Sequence, residues 1–209
     1  MSLARNIGWW VFAVLCVMVG LYPLAYLFMD TSMGLLGTKS AELLQQTLWN
    51  VAFYVHISLG GLALLVGWTQ FHEGFRTKRL QLHRKIGLVY GLSVALSGIA
   101  SLYIGWFATG GWVSQVGFMA LGLVWLFTTA KAWMAIRERE IRQHQVWMTY
   151  SYAACSAAVT LRLWMPILIP LMGEFIPAYR IIAWLSWVPN LLVAAWIVKR
   201  QADRQPVVA

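Results

Sequence analysis

Long apolar stretches alternate with short polar segments along most of the chain. A helix that crosses a membrane needs about 20 predominantly apolar residues. Six stretches meet that length, at roughly 8–28, 49–70, 86–107, 113–135, 145–170 and 181–198. Since these stretches lack a polar face, the pattern predicts an all-α polytopic membrane protein with six transmembrane helices in one domain, 1–209.

The connections between the predicted spans are short, apart from an outer loop at about 30–48. Helices joined by short connections lie side by side and antiparallel. We therefore expect spans two to five to form a central antiparallel four-helix bundle, with spans one and six packed outside it. In the outer loop, Glu42 and Gln45 indicate one amphipathic turn lying on the membrane surface.

Lysine and arginine are distributed unevenly between alternate loops. Cytoplasmic loops collect these residues. One side of the predicted bundle carries Lys39 and Arg180. The other side carries Arg5, Arg76, Lys78, Arg79, Arg84, Lys85, Arg137, Arg139, Arg142, Lys199, Arg200 and Arg204. Both termini are therefore expected on the cytoplasmic side.

The composition agrees with a membrane protein. Hydrophobic residues make up 60% of the 209 residues and charged residues 11%, which is too apolar for a water-soluble core and surface. The net charge of +9 could indicate nucleic acid in a soluble protein, but topology and anionic lipid headgroups account for it here. The expected partner is the lipid bilayer, with no nucleic acid. Cys16 and Cys155 fall inside spans, so neither a disulfide framework nor a cysteine zinc site is supported.

Span five carries the most informative polar stripe. A guanidinium inside a span is costly, so Arg162 should face the protein interior with an anion, a carbonyl or a polar ligand as its partner. The alternative is that Arg162 extends to the outer interface or bonds to carbonyls freed by Pro166. The residues that share its helix face, at steps of three or four, are His144, Met148, Ser151, Cys155 and Ala158.

Span two offers a complementary face with His56 and Gly60. His56 should lie at nearly the depth of Arg162, and the missing side chain of Gly60 leaves room for a flat ligand or a close helix. Together His56 and Arg162 would suit a quinone carbonyl, a haem propionate or a lipid phosphate. Alternatively, His56 bonds to a neighbouring helix. Met119 is a soft ligand candidate at this level, although methionine more often packs.

Three further histidines lie in or beside the predicted cytoplasmic loops: His72, His83 and His144. His83 opens span three, one turn before Gly87, and His144 opens span five. Histidines on two bundle helices can hold a b-type haem. The three histidines with Glu73 could instead bind zinc or copper. Merely solvated histidines at headgroup level are the alternative.

The sequence resembles the bacterial membrane family labelled Domain of Unknown Function 2306. The resemblance covers roughly residues 48–170 and implies a membrane fold in the bacterial cytoplasmic (inner) membrane, while the family label assigns no activity. The segments that carry it are His56-x-x-x-Gly60, Gly67-Trp68-Thr69-Gln70-Phe71, Leu82-His83-Arg84-x-x-Gly87-x-x-Tyr90, and His144-x-x-Trp147-Met148 continuing to Leu161-Arg162.

The four central helices also resemble, more distantly, the di-haem cytochrome b family that moves electrons from ascorbate or quinol across membranes. That family uses four ligand histidines, two on each side of the membrane. In this chain span four has no histidine and three of the four histidines lie on the predicted inner side. The resemblance therefore implies a single haem held by His83 and His144.

The leading functional hypothesis is an integral inner-membrane protein that binds one b-type haem or a quinone and transfers electrons, as a haem- or quinone-dependent oxidoreductase. His83, Gly87 and His144 form the inner cofactor site in this hypothesis, and His56 with Arg162 forms the outer one. A non-catalytic accessory subunit or assembly factor of a larger respiratory or metal-handling complex is the alternative. A small transporter is a third hypothesis, although the seven acids all fall in loops, leaving no intramembrane carboxylate for proton coupling.

Overall fold

The structure is a computed structural model that describes residues 3–28, 34–71 and 73–203. This part of the chain is almost entirely helical and contains no strand. It includes six helical segments that are long and apolar enough to cross a membrane. The prediction of an all-α membrane protein with six spans is confirmed.

Ten α-helices and three 3-10 turns make up the described residues. The fifth span combines α7 with α8, and the sixth combines α9 with α10. The 3-10 turns are Tyr22–Leu27, Leu36–Thr38 and Trp68–Phe71. The helices are α1 Leu3–Leu21, α2 Ala41–Leu44, α3 Thr47–Gly67, α4 Glu73–Lys78, α5 Leu80–Trp106, α6 Trp112–Arg137, α7 Ile141–Cys155, α8 Ala157–Met172, α9 Phe175–Leu185 and α10 Val188–Asp203.

The helices extend beyond the bounds that hydropathy predicts. The third span begins at Leu80 rather than at 86, because a helix continues into the headgroup region where polar side chains are solvated. The predicted continuous fifth span is interrupted at Ser156, whose hydroxyl donates to the Tyr152 carbonyl at 2.7 Å. Such back-bonding bends helices. The sixth span begins at Phe175 rather than at 181 and is interrupted before Pro189, which lacks the N–H a continuous helix would need.

Four spans pack around a common axis. Helix α3 packs against α5, α5 against α6, and α6 against α7, while α7 closes the ring against α3. Helix α1 lies outside, on α3 and α8, and the α9–α10 pair lies on α6, α7 and α8. We call the end of this bundle that bears His83 and His144 the inner end, and the opposite end the outer end.

Glycines determine how closely α3 packs against its neighbouring helices. A Cβ at Gly61 would lie 2.6 Å from the Gly20 carbonyl oxygen, so α1 and α3 touch backbone to backbone. Small residues permit this approach, which supplies packing energy between helices in lipid. Further toward the inner end, a Cβ at Gly67 would lie 2.3 Å from the Tyr152 ring. A tyrosine from α7 therefore occupies the space beside α3.

The outer segment of residues 34–46 folds over the end of the bundle. Leu36 is buried against Trp49 and Phe53, and the Thr38 hydroxyl lies 3.0 Å from the Thr109 hydroxyl between α5 and α6. The expected amphipathic turn is α2. Leu36 packs inward because it gains more burial in the aromatic cluster than at the membrane interface.

Candidate functional site

A cavity of about 310 Å³ lies in the outer half of the molecule. Its wall comes from the end of the first span, the outer segment, and helices α3, α5, α6, α8 and α9. Most of the wall is apolar or aromatic. The polar side chains on it include His56 and Arg162, so the structure brings these two predicted site residues together.

Arg162 projects from α8 onto this cavity. Its Nη1 donates to the Ala158 carbonyl at 2.9 Å, and its guanidinium carbon lies 4.5 Å from the centre of the Tyr22 ring. Tyr26 and Tyr179 are also close enough to interact with its charge. The described groups around Arg162 include no carboxylate. A guanidinium carries five N–H donors, so Arg162 retains donor capacity for a ligand.

His56 projects from α3 and contacts Ser97 on α5. Its Nδ1 lies 3.1 Å from the Ser97 carbonyl oxygen, and the Ser97 hydroxyl donates to the His56 carbonyl at 2.9 Å. Because a carbonyl only accepts, we assign the proton to Nδ1, which leaves Nε2 as an acceptor. His56 thus bonds to a neighbouring helix and also lines the cavity. Gly60, one turn along, lines the same cavity.

Lys39 closes the outer end of this cavity. Its Nζ donates to the Phe107 carbonyl at 2.6 Å and to the Thr109 hydroxyl at 3.0 Å. Burial lowers the pKa of the Lys39 ammonium to about 8, so most molecules remain protonated at neutral pH. In the sequence, Lys39 indicates only the orientation of the protein in the membrane. Its contact with the bundle could not be predicted, because that contact depends on how residues 34–46 fold.

Trp49 is a second cavity residue that sequence reasoning does not identify. Its side chain is 1% exposed, and its Nε1 has no hydrogen-bond partner in the described structure. The sequence predicts an interfacial tryptophan at this position. In the structure Trp49 stacks on Phe53 with 5.2 Å between ring centres. A buried N–H without a partner is a candidate donor to a ligand.

The inner end brings His83 and His144 together. The two imidazoles are close enough for their charges to interact. The His144 Nδ1 lies 2.9 Å from the Ala132 carbonyl of α6, which assigns the proton to Nδ1 and leaves Nε2 free to act as a ligand. The His83 Nδ1 is buried without a partner in the described structure. Neither histidine lines the outer cavity.

The remaining predicted site residues fall elsewhere. His72 lies outside the described residues. Gly87 faces Gln70, whose Oε1 would lie 3.8 Å from an added Cβ. Met119 packs against Gly105, which fits its alternative role as a packing residue. Within the described ranges no three histidine, cysteine or acidic side chains converge as metal ligands. A three-histidine copper or zinc site that includes His72 stays a prediction.

A hydrogen-bonded cluster lies between the two ends. The Tyr90 hydroxyl lies 2.7 Å from the Ser151 hydroxyl, which lies 2.7 Å from the Thr129 hydroxyl. The Trp125 indole donates to Tyr90 at 3.4 Å. These polar groups have partners within the protein, so the cluster holds α5, α6 and α7 together.

Comparison with known proteins identifies the family. A family model described as predicted membrane protein (DUF2306) matches residues 53–198. This protein belongs to that family. The DUF2306 match includes His56, Arg162, His83 and His144, and it begins after Lys39 and Trp49. No curated protein and no solved structure matches the chain. The resemblance to di-haem cytochromes b therefore stays an expectation.

Proposed function

We propose that this membrane protein binds a quinone in its outer cavity and takes part in electron transfer. The observation that carries the proposal is the convergence of His56 and Arg162 on one cavity whose wall is otherwise mainly apolar and aromatic. Ligand sites commonly combine an apolar wall with a few convergent polar groups. A quinone matches this pattern, because its ring oxygens are polar and its tail is apolar.

The side chains suggest a role for each part of the cavity. Arg162 would donate to a ring oxygen, and the free Nε2 of His56 would accept a hydrogen bond from a reduced hydroxyl. Gly60 and Gly61 form part of the α3 wall against which a flat ring would lie. When bound, a quinone supplies two-electron, two-proton redox chemistry. The side chains of Leu64 and Phe118 would exclude water from the ring.

Titration of decylubiquinone into the full-length protein in nanodiscs tests this proposal. We expect His56→Ala and Arg162→Leu each to weaken binding by about tenfold or more, which corresponds to the loss of one hydrogen bond to a charged or buried group. Ser58→Ala and Arg137→Leu are matched controls, because both residues are exposed and lie off the cavity wall. Equal affinity in wild type and in both site variants would contradict the proposal.

A single b-type haem held by His83 and His144 is a second candidate. It is favoured by the orientation of His144, whose Nδ1 bond to Ala132 frees Nε2, and by the buried, unpartnered Nδ1 of His83. The two imidazoles would hold a bis-imidazole haem, and Arg84, whose charge interacts with His83, would neutralise a propionate. A bound haem would supply one-electron redox chemistry.

Absorption spectra of the oxidised and dithionite-reduced protein, with metal analysis of the same sample, test the haem. We expect a sharp reduced b-type band at near one haem per chain, lost in His83→Ala and in His144→Ala. Zinc or copper in place of iron would support the metal-site alternative. A colourless, metal-free wild-type sample would contradict the inner cofactor site and would favour the accessory-subunit hypothesis.

A further inference from the structure

The outer cavity carries two positive groups whose described partners are all neutral. Arg162 donates to the Ala158 carbonyl, and Lys39 donates to the Phe107 carbonyl and the Thr109 hydroxyl. The described residues of the cavity wall include no aspartate or glutamate. Removing a cation from water is unfavourable unless an anion compensates for it. The described part of the cavity wall therefore supplies no negative group to compensate for these two charges.

Trp49 adds an uncharged donor to these two cations. The buried Trp49 Nε1 has no partner in the described structure, and an indole nitrogen donates without accepting. Tyr22 and Tyr26 supply hydroxyl groups beside Arg162. A lining with this surplus of donors matches a ligand whose head is rich in oxygen acceptors.

The remainder of the wall suits an apolar body. Phe53 and Ile57 from α3 line it, together with Leu121 and Trp125 from α6. Such side chains favour a ring or a hydrocarbon chain over a small hydrated ion, because they offer no groups to replace its water shell. The positive charges and the apolar wall of the cavity together favour an amphiphile over an inorganic anion.

We infer that the natural ligand of the outer cavity is an acidic amphiphile, whose negatively charged oxygen head is bound by Arg162, while Lys39 adds positive charge at the outer end of the same cavity. The inference rests on the proposed function in using the same cavity as a ligand site, and it adds that the head is charged. An acidic quinone, a free fatty acid and an acidic phospholipid share this chemistry. A neutral quinone would leave both cations uncompensated.

Two single-chain probes separate charge from apolar burial. Decane-1-sulfonate is permanently charged, and decan-1-ol is its neutral counterpart. Binding of each to the full-length protein is measured by calorimetry in phosphatidylcholine nanodiscs. We expect one sulfonate per chain, bound at least about tenfold more tightly than the alcohol. Equal affinities of the two probes in the wild-type protein would overturn the inference, whatever the variants do.

Substitutions test which side chains bind the charged head of the ligand. Arg162→Gln should weaken sulfonate binding by about tenfold and Lys39→Gln should weaken it several-fold through its longer-range charge, and both should leave decan-1-ol binding unchanged. Lys39→Arg should retain most of the affinity. Lys131→Gln is the matched control, because Lys131 is exposed beside Phe127 and lies off the cavity wall. The same loss of sulfonate affinity in Lys39→Gln and Lys131→Gln would assign the effect to general surface charge and overturn the inference.

Asp30 lies outside the described residues, and its variant tests whether the protein supplies its own anion. Unchanged sulfonate affinity in Asp30→Asn would support an external acidic ligand. A rise of about tenfold would identify Asp30 as the counter-ion and overturn the inference. Mass spectrometry of organic extracts identifies the natural ligand, since a fatty acid, acidic quinone or acidic phospholipid should be retained by wild type and depleted in Arg162→Gln. Identical extracts from both proteins would contradict it.

The probes also separate this inference from the quinone proposal. Binding of decane-1-sulfonate without binding of decylubiquinone would support an acidic ligand and contradict the quinone. Binding of decylubiquinone without preference for the sulfonate over decan-1-ol would support the quinone and contradict the charged head. The two claims can therefore fail independently.

Discussion

The inner and outer halves of the bundle use the same helices in opposite ways. In the inner half the space beside Gly67 of α3 is filled by the Tyr152 ring, whose hydroxyl donates to the Leu64 carbonyl at 2.9 Å. In the outer half Gly60 and Gly61 of the same helix border a cavity of about 310 Å³. The same helix therefore packs against a filled space in one half and borders a cavity in the other, and its tertiary partners decide which.

The polar groups of the Tyr90 cluster and of the outer cavity also differ in whether partners within the protein satisfy them. Tyr90, Ser151 and Thr129 satisfy one another within the protein. Arg162 and Trp49 instead present donor capacity to the cavity. The satisfied Tyr90 cluster stabilises the fold, whereas the surplus donors of the outer cavity lower stability until a ligand arrives. This difference is the basis for interpreting the outer half as the ligand site.

Gly67→Ala should produce the largest loss of stability. Its Cβ would lie 2.3 and 2.6 Å from two carbons of the Tyr152 ring, so the ring or a helix must shift. We expect a loss of about 2–3 kcal/mol, as for overpacked cores. Gly60→Ala, whose Cβ would lie 3.1 Å from the Ser97 hydroxyl, should cost less than about 1 kcal/mol. Unfolding of the detergent-solubilised variants measures both, and equal losses would remove the distinction between the two halves.

Arg162→Leu should act on stability in the opposite direction. Replacing an uncompensated cation by an apolar side chain in a low-dielectric site should raise the free energy of unfolding of the ligand-free protein by about 1–2 kcal/mol. The comparison uses the same unfolding assay on delipidated protein. A marked loss of stability would instead make Arg162 a structural residue of the fold.

Tyr90→Phe should remove one internal partner from the inner cluster. The lost bonds are those to Ser151 at 2.7 Å and from Trp125 at 3.4 Å, and we expect a cost of about 1 kcal/mol. Tyr54→Phe is the control, because Tyr54 is 41% exposed. Unfolding curves of the two variants should differ. Coincident curves would contradict a stabilising role for the cluster.

A change of pH should have the smallest of these effects, because it alters ligand binding through the titration of Lys39. Burial lowers the pKa of this ammonium to about 8, so its positive charge is present at pH 7 and is lost as the pH rises through that value. The described groups that contact Nζ, the Phe107 carbonyl and the Thr109 hydroxyl, do not titrate. The affinity for decane-1-sulfonate should fall several-fold between pH 7 and 10 in wild type, at roughly 1.4 kcal/mol per factor of ten.

Lys39→Gln should show no such fall, because glutamine does not titrate. Calorimetric titrations at several pH values compare the two proteins, and the probe keeps its charge throughout. A parallel fall in wild type and in Lys39→Gln would assign the pH effect to another group.

Much of the fold follows from local properties of the sequence. Apolar stretches about 20 residues long predict the six spans, since each helix must satisfy its own backbone in lipid. The breaks at Ser156 and before Pro189 are not evident from hydropathy, which responds to apolar content and not to helix geometry. The shared level of His56 and Arg162 could also be predicted, because depth in a span scales with residue number.

The rest of the outer cavity depends on contacts that the sequence does not specify. Lys39 reaches it because residues 34–46 fold over the bundle. Tyr22 reaches it from a 3-10 turn after α1, and Tyr179 from α9. These residues are far apart in the sequence and share no helical period. Their convergence is a property of tertiary packing.

A cryo-electron microscopy map of the purified protein in nanodiscs would test the central claim that the outer cavity is a ligand site. We expect continuous, elongated density in the cavity, with its head within hydrogen-bonding distance of Arg162, and a filled inner half with Tyr152 against Gly67. Side chains that close the cavity, or scattered water density in place of a ligand, would contradict it.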